Sequence, residues 1–289
     1  MKHAYLEKKF QPKSLALIEK INEIVNSYQQ QGYSLTLRQT FYQLVSRGDI
    51  PNLQSEYKRI GALLNDARWS GLVSWTAIED RTRHLNALSH WNNPGEIVTS
   101  AANSYHVDLW TGQPKYTEVW IEKEALLDIA WRAASSFDVP CFACKGFPSA
   151  SELWRAAARF KAHGRQGQDC SILYLGDHDP SGLDIPRDIA DRLKLFYADV
   201  QIKRLALNMD QIQQYNPPPN FAKESDKRYP AYKALYGKHS WELDALDPHV
   251  LNELISENII SCLDRKMFDE MKRLQETQRQ ELIELAANF

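Results

Sequence analysis

Residues 171–182 read Ser171-Ile172-Leu173-Tyr174-Leu175-Gly176-Asp177-His178-Asp179-Pro180-Ser181-Gly182. An apolar run that ends in Gly, two aspartates and Pro-Ser-Gly reads as a strand that stops at a turn and passes into a helix. The same alternation extends outward. Strands are predicted over Thr117–Ile121, Val139–Cys144, Ser171–Gly176 and Val200–Leu207, with helices near 123–136, 149–163 and 183–196. Strand and helix in strict turn imply an α/β fold, a parallel sheet flanked by helices. Chemistry in such sheets sits beyond the carboxyl ends of the strands.

Three carboxylates fall there: Glu122 after the first of these strands, and Asp177 and Asp179 after the third. Carboxylate oxygens grouped with room for water and phosphate suit Mg²⁺, with Mn²⁺ as a substitute, because Mg²⁺ takes few protein ligands and keeps several waters. Their alternative role is local, with Glu122 beside a helix start and the aspartates forming the turn.

Ahead of the sheet, an apolar stripe of Leu17, Ile21, Ile24 and Tyr28 predicts a helix over 15–31 closed by Gly32. Thr36 and Gln39 have capping-box spacing for a second helix that Gly48 ends, and a third runs from Ser55 to near Gly71. Val73–Ile78 reads as a short strand or hairpin, so residues 1–90 are expected to form a winged helix-turn-helix that binds DNA. Residues 91–114 lose periodicity and read as a linker, 115–210 as the sheet domain, and 211–289 as an extension with a Pro-rich loop (Pro217-Pro218-Pro219) and a helical tail from about 248. The tail's stripe of Leu251, Leu254, Ile255, Ile259, Leu263, Phe268, Met271 and Leu274 suits either core or a dimer face. Residues 1–95 carry twelve Lys and Arg against eight Asp and Glu, while the remainder is acidic, which suits a front that meets a polyanion.

The sheet portion resembles a Toprim domain, the metal-binding module of topoisomerases, primases and some nucleases. Trp120-Ile121-Glu122-Lys123-Glu124-Ala125 and Gly176-Asp177-His178-Asp179-Pro180 match its glutamate and Asp-x-Asp motifs. Lys145-Gly146-Phe147-Pro148 is similar to a turn of the topoisomerase VI A subunit. Pro217–Lys223, Asp226, Arg228 and Trp241–Leu246 are similar to the segment C-terminal to the Toprim core in that subunit and in nuclease subunits of Wadjet-type plasmid defence. In the topoisomerase VI A and meiotic double-strand-break family, a winged helix carries Arg-Asp-x-aromatic-Tyr. Here Arg38-Gln39-Thr40-Phe41-Tyr42 keeps the arginine, aromatic and tyrosine and replaces the aspartate by Gln39.

The resemblance implies a Mg²⁺-dependent DNA-cleaving enzyme. Tyr42 would attack the phosphodiester, Arg38 and Lys145 would neutralise charge at phosphorus, and Glu122, Asp177 and Asp179 would hold the metal. Arg38, four residues from Tyr42, is placed to lower the phenol's pKa. The alternative for Tyr42 is a packing residue at the rim of the core. Hydrolysis by the metal site without a tyrosine is the competing mechanism, and a DNA-binding module without chemistry is the competing class. The family builds each cutting site from two subunits, which implies a homodimer on double-stranded DNA. No Gly-x-x-x-x-Gly-Lys-Ser/Thr motif occurs, so ATP-driven strand passage would need a separate ATPase subunit.

Arg47, Lys58, Arg59, Arg68, Arg81 and Arg83 are candidates for phosphate contact. His178 would orient a phosphate or face solvent, and Glu242 would add a fourth acid or serve packing. Cys141 and Cys144 have zinc-like spacing but no second pair, and their odd separation on a strand puts them on opposite faces. Four cysteines are too few for a disulfide scaffold, no apolar run reaches membrane-span length and the N-terminus lacks a signal core, so a cytoplasmic protein is expected.

Overall fold

The structure, a computed structural model, describes residues 2–79 and 88–287 of the 289-residue chain. Three helices come first: α1 (Pro12–Gln30), α2 (Leu37–Ser46) and α3 (Gln54–Trp69). The stripe of α1, Leu17, Ile21, Ile24 and Tyr28, is buried against Leu35, Leu44, Ile60 and Leu64. The capping box forms as its spacing requires: Gln39 N–H donates to Thr36 Oγ1 at 3.3 Å, and Gln39 Oε1 accepts from Thr36 N–H at 2.9 Å.

Val73–Ile78 is not a hairpin. Val73 and Ala77 both turn into the core, but Trp75 midway between them is exposed, which breaks the alternation of a strand. Leu72 and Val73 N–H both donate to Ala67 O, and Ile78 makes a single parallel bridge with Leu35.

The expected linker is also more ordered than its sequence suggests. Pro94–Asn103 forms α4, capped by Asn93, whose side chain accepts from Glu96 N–H. The next residues are tied to the C-terminal helix: Tyr105 Oη donates to Gln278 Oε1 at 2.7 Å, and Val107 N–H to Gln275 Oε1 at 3.0 Å. α4 itself packs along that helix. A helix of ten residues with one buried side chain is marginal alone and takes its stability from this packing.

The four predicted strands form one parallel sheet of β1 (Lys115–Ile121), β2 (Cys141–Ala143), β3 (Asp169–Leu175) and β4 (Gln201–Ala206), in the order β2-β1-β3-β4. Ile121 lies opposite Leu175, so β1 and β3 end level. Alternate residues bury two layers. Val119, Ile121, Leu173 and Leu175 pack under α5 (Leu127–Ser135) and α10 (Pro248–Ile260), while Trp120, Ile172 and Tyr174 pack under α6 (Ala150–Arg165) and α7 (Pro180–Leu195). Cys141 packs on the first layer and Cys144 lies in the second, on opposite faces as their spacing implies.

After β4 come α8 (Met209–Tyr215), β5 (Asn220–Phe221), α9 (Tyr229–Tyr236) and β6 (His239–Ser240), the two short strands pairing antiparallel. α10 and α11 (Arg265–Ala286) complete the chain. Of the tail stripe, Leu251, Ile255, Ile259 and Phe268 enter the first layer's core, and Leu274 stays exposed. The N-terminal helices dock on the segment before α10: Ala245 joins their core, and Tyr28 Oη donates to Asp247 Oδ2 at 2.6 Å. Among the described residues no helix is long and apolar enough to cross a membrane.

Candidate acidic site and adjoining tyrosine cleft

Because β1 and β3 end together, Glu122 and Asp177 meet. Asp177 N–H donates to Glu122 Oε2 at 2.9 Å, and Glu122 N–H to Leu175 O at 2.8 Å. Asp177 Oδ1 accepts from Leu243 N–H at 2.8 Å and from the Lys123 ammonium at 2.9 Å. Asp179 caps α7: its Oδ1 accepts from Gly182 N–H at 2.6 Å and Ser181 Oγ at 2.9 Å. The loop has no room for another atom. A Cβ on Gly182 would lie 2.3 Å from Asp177 O, and one on Gly176 2.7 Å from Glu122 Oε2.

Arg204 holds the loop from behind, donating to the carbonyls of Gly176 (2.9 Å), Asp177 (2.6 Å) and Gly182 (2.8 Å). Lys123 stands in front. Besides Asp177, its ammonium reaches Asp244 at 2.6 Å and Glu242 at 3.0 Å. Arg38 extends from α2 to the same acids, 3.1 Å from Glu242 and 4.0 Å from Asp244.

The electrostatics reflect this crowding. Burial, then the charges of Asp177 and Asp179, raise the Glu122 pKa to about 7. Burial also raises Asp177, against the pull of Lys123 and the Leu243 N–H. Burial opposes the Lys123 charge, but Asp177, Asp244 and Glu242 outweigh it and hold the ammonium protonated. Glu242 is lowered, since Lys123 and Arg38 overcome its burial. Five carboxylates thus face three cations, Lys123, Arg38 and Arg204, a surplus of negative charge of the kind a divalent cation relieves.

A cavity of about 250 Å³ opens here, lined by Arg38, Lys123, Asp177, Asp179 and Glu242 among others. A second cavity, of about 300 Å³, holds Tyr42, Phe41 and Tyr57 and shares Arg38, Asn220 and Glu242 with the first. Asn220 joins them, its Nδ2 lying 3.3 Å from Tyr42 Oη and 3.4 Å from Glu242 Oε1. The resemblance puts the tyrosine and its metal site on different subunits; here Tyr42 adjoins the acids of its own chain. Its pKa is raised, by burial first and then by Glu242, and Arg38, Asn220 and Lys123 only partly offset this. Arg38 lowers it as expected, but burial and the Glu242 charge outweigh that effect.

Other expected residues scatter. Lys145 is exposed, pairs with Glu124 at 2.8 Å and does not line the acidic cavity. Arg47 and Lys58 are exposed on the helical unit, and Arg59, also exposed, pairs with Glu56 at 2.6 Å. Arg68 turns inward, donating to Ile78 O at 2.5 Å and lying over the Trp75 ring, so it braces the fold instead of offering a phosphate contact. Arg81 and Arg83 fall outside the described residues.

His178 faces neither solvent nor the cavity. It is buried, its Nδ1 lies 3.0 Å from Tyr232 Oη, and rings of Tyr232, Tyr236 and Trp241 surround it. Burial, helped by Arg204, pushes its pKa down to about 4, which keeps the ring neutral. Among the described residues no three His, Cys, Asp or Glu side chains are already drawn together as a metal-binding group.

The residues that sequence reasoning did not assign are Lys123, Arg204, Asn220 and Asp244. Lys123 lies inside the glutamate motif, Asp244 inside the Trp241–Leu246 segment, and Arg204 is a charge near the end of a strand. Asn220 carried no signal beyond its neighbourhood. The chain finds no match among protein-family models or curated proteins.

Proposed function

We propose that this protein is a metal-dependent DNA-cleaving phosphoryl transferase in which Glu122, Asp177 and Asp179 hold Mg²⁺ or Mn²⁺ and water attacks the phosphodiester. The observation that carries this reading is the level ending of β1 and β3, which sets Glu122 against Asp177 beside a cavity with surplus negative charge. The donor set fits: it is all hard oxygen, and Glu122, whose pKa is raised first by burial and then by Asp177 and Asp179, stands among like charges. Bound there, the metal supplies Lewis-acid stabilisation and a more acidic water.

The chain's own residues do the rest. Lys123 fixes the Asp177 carboxylate and, with Arg38, offers positive charge to a phosphate entering the cavity. Arg204 fixes the loop backbone that carries both aspartates. In this reading α1–α3 are the helices of the winged-helix unit, with Arg47, Lys58 and Arg59 available to duplex DNA, and the working form is a homodimer, with any strand passage driven by a separate ATPase subunit.

Water is favoured over Tyr42 because a metal held by the acids would make its bound water more acidic, whereas burial and Glu242 make the phenol harder to deprotonate. Transesterification is the second reading, supported by the cavity that Tyr42 shares with Arg38, Asn220 and Glu242. Incubation with supercoiled DNA and Mg²⁺ or Mn²⁺, with products compared before and after protease digestion, tests both. Free nicked or linear DNA is the expected product. Ends that carry protein would replace water by Tyr42, and intact DNA under all metal conditions would overturn the reading.

A further inference from the structure

We infer that Phe221, flanked by Lys223 and Lys238, is a stacking platform for one unpaired nucleotide at the mouth of the acidic cavity. The strand presented to the acids is then locally single-stranded. This rests on the cleavage reading for what the cavity does, but the platform is argued from its own residues.

Phe221 is 75% exposed and, with Lys223, lines the cavity that holds Asp177 and Asp179. A lone exposed aromatic is ordinary. This one is held in place. It pairs with His239 across the β5–β6 ladder, and Ala222 N–H donates to Lys238 O at 3.0 Å. Its neighbour Asn220 accepts at Oδ1 from Asn52 Nδ2 at 2.9 Å, which ties the strand to the helical unit. The His239 ring lies 5.6 Å from the Phe221 ring, and the Lys238 ammonium is 5.6 Å from its centroid. An apolar ring is thus held in the lining of the cavity that contains the aspartates, with a cation beside it.

Charge gathers at the same place. Residues 221–240 hold Lys223, Lys227, Arg228, Lys233 and Lys238 against Glu224 and Asp226. Arg228 is engaged by Asp184 and Asp226, whereas Lys223 and Lys238 make no ion pair among the described residues. An aromatic face bordered by such lysines is the physical signature of single-strand binding: the ring takes a base and the ammonium groups take the phosphates beside it. In an intact duplex each base face is covered by its neighbours, so Phe221 can stack only where the strand is unpaired or splayed.

The test is binding by the full chain in a chelator, where no cleavage occurs. The probes are fluorescein-labelled oligothymidylate and a blunt duplex of equal length, read by fluorescence anisotropy. Phe221→Ala should weaken oligothymidylate binding roughly tenfold, the size of one base–aromatic stack, and change duplex binding by less than about twofold. Phe221→Trp should restore the affinity. Lys223→Gln with Lys238→Gln should lower the salt slope by about 0.7 for each phosphate no longer neutralised.

Unchanged oligothymidylate binding by Phe221→Ala, or an equal loss on both probes, overturns the inference. Phe221 is exposed, so the alanine variant should melt with the wild-type protein, and the tryptophan variant controls for a fold effect. A protein that binds through Phe221 but never cuts DNA keeps this platform and loses the cleavage reading. One that cuts DNA while Phe221→Ala binds normally does the reverse.

Discussion

Lys123 and Asp177 form the ion pair on which the acidic site turns: 2.9 Å apart, they join the end of β1 to the end of β3 by charge as well as by backbone. The same ammonium also serves Asp244 and Glu242, so three carboxylates share this cation, two of them with Arg38 as well. Lys123→Met keeps the stem and removes the charge. It should destabilise the metal-free protein at neutral pH by about 3–5 kcal/mol, because carboxylates are left buried and unpaired. Urea unfolding in chelator measures the loss, and added Mg²⁺ should recover part of it if the site takes the metal.

The pH dependence of stability carries a second prediction. Glu122 titrates at about 7 in the folded protein against an ordinary 4.5, so the folded state holds its proton longer than the unfolded chain. Its contribution is favourable at low pH and is lost as pH rises from about 4.5 to 7, by up to about 3 kcal/mol. Glu122→Gln keeps an acceptor for Asp177 N–H and abolishes this loss. The stability difference between variant and wild type, measured in chelator, should therefore grow from pH 4.5 to 7 and then level off. A difference that is flat with pH would refute the assignment.

His178 acts in the opposite direction. Its folded pKa of about 4 lies below the ordinary 6.5, so the unfolded chain takes the proton first. Stability from this group is present above pH 6.5 and is lost as pH falls towards 4. His178 NMR titration should show a ring that stays neutral at pH 5.5; a pKa near 6.5 would contradict the burial argument.

Tyr42→Phe removes one hydroxyl from a ring that packs edge-on against Phe41 at 5.3 Å. If water is the nucleophile, the variant should cut DNA within about tenfold of the wild-type rate, since the hydroxyl then only makes hydrogen bonds with Asn220, Arg38 and Glu242. A loss of several orders of magnitude, with protein-linked ends in the wild type, would instead establish covalent catalysis by Tyr42.

Two glycines make a matched pair for stability. Gly182→Ala drives a Cβ into Asp177 O and should cost about 1–3 kcal/mol and displace the aspartates. Gly164→Ala, inside α6 with open space around the new atom, should stabilise by about 0.5–1 kcal/mol. Thermal unfolding of the two variants should move in opposite directions.

The alternation of strand and helix from 115 to 207, the capping box at Thr36 and Gln39, and the placement of Glu122, Asp177 and Asp179 at strand ends are all legible in the sequence. Each depends on contacts within one element or on a periodicity that one element must bury, so local order carries it. α4, α8 and α9 are not legible, because helices of seven to ten residues are marginal alone and form only where a neighbour covers them. The turns over 73–78 are hidden because four apolar residues in six mimic a strand until the core selects which of them point inward.

Side-chain roles divide along the same line. That Lys123 neutralises Asp177 is settled by the pairing of β1 with β3, and that Arg38 meets Glu242 from 204 residues away and Tyr42 adjoins the acids of its own chain by the docking of the N-terminal helices on 242–247. His178 is the clearest case. Its sequence neighbours are acids, but the bridge from its backbone to Trp241 swings the ring into an aromatic cage built by α9 and Trp241. Sequence determined which groups stand at the sheet's carboxyl edge; tertiary packing decided which face the cavity, because only packing brings distant charges within Coulombic reach and sets how much water each retains.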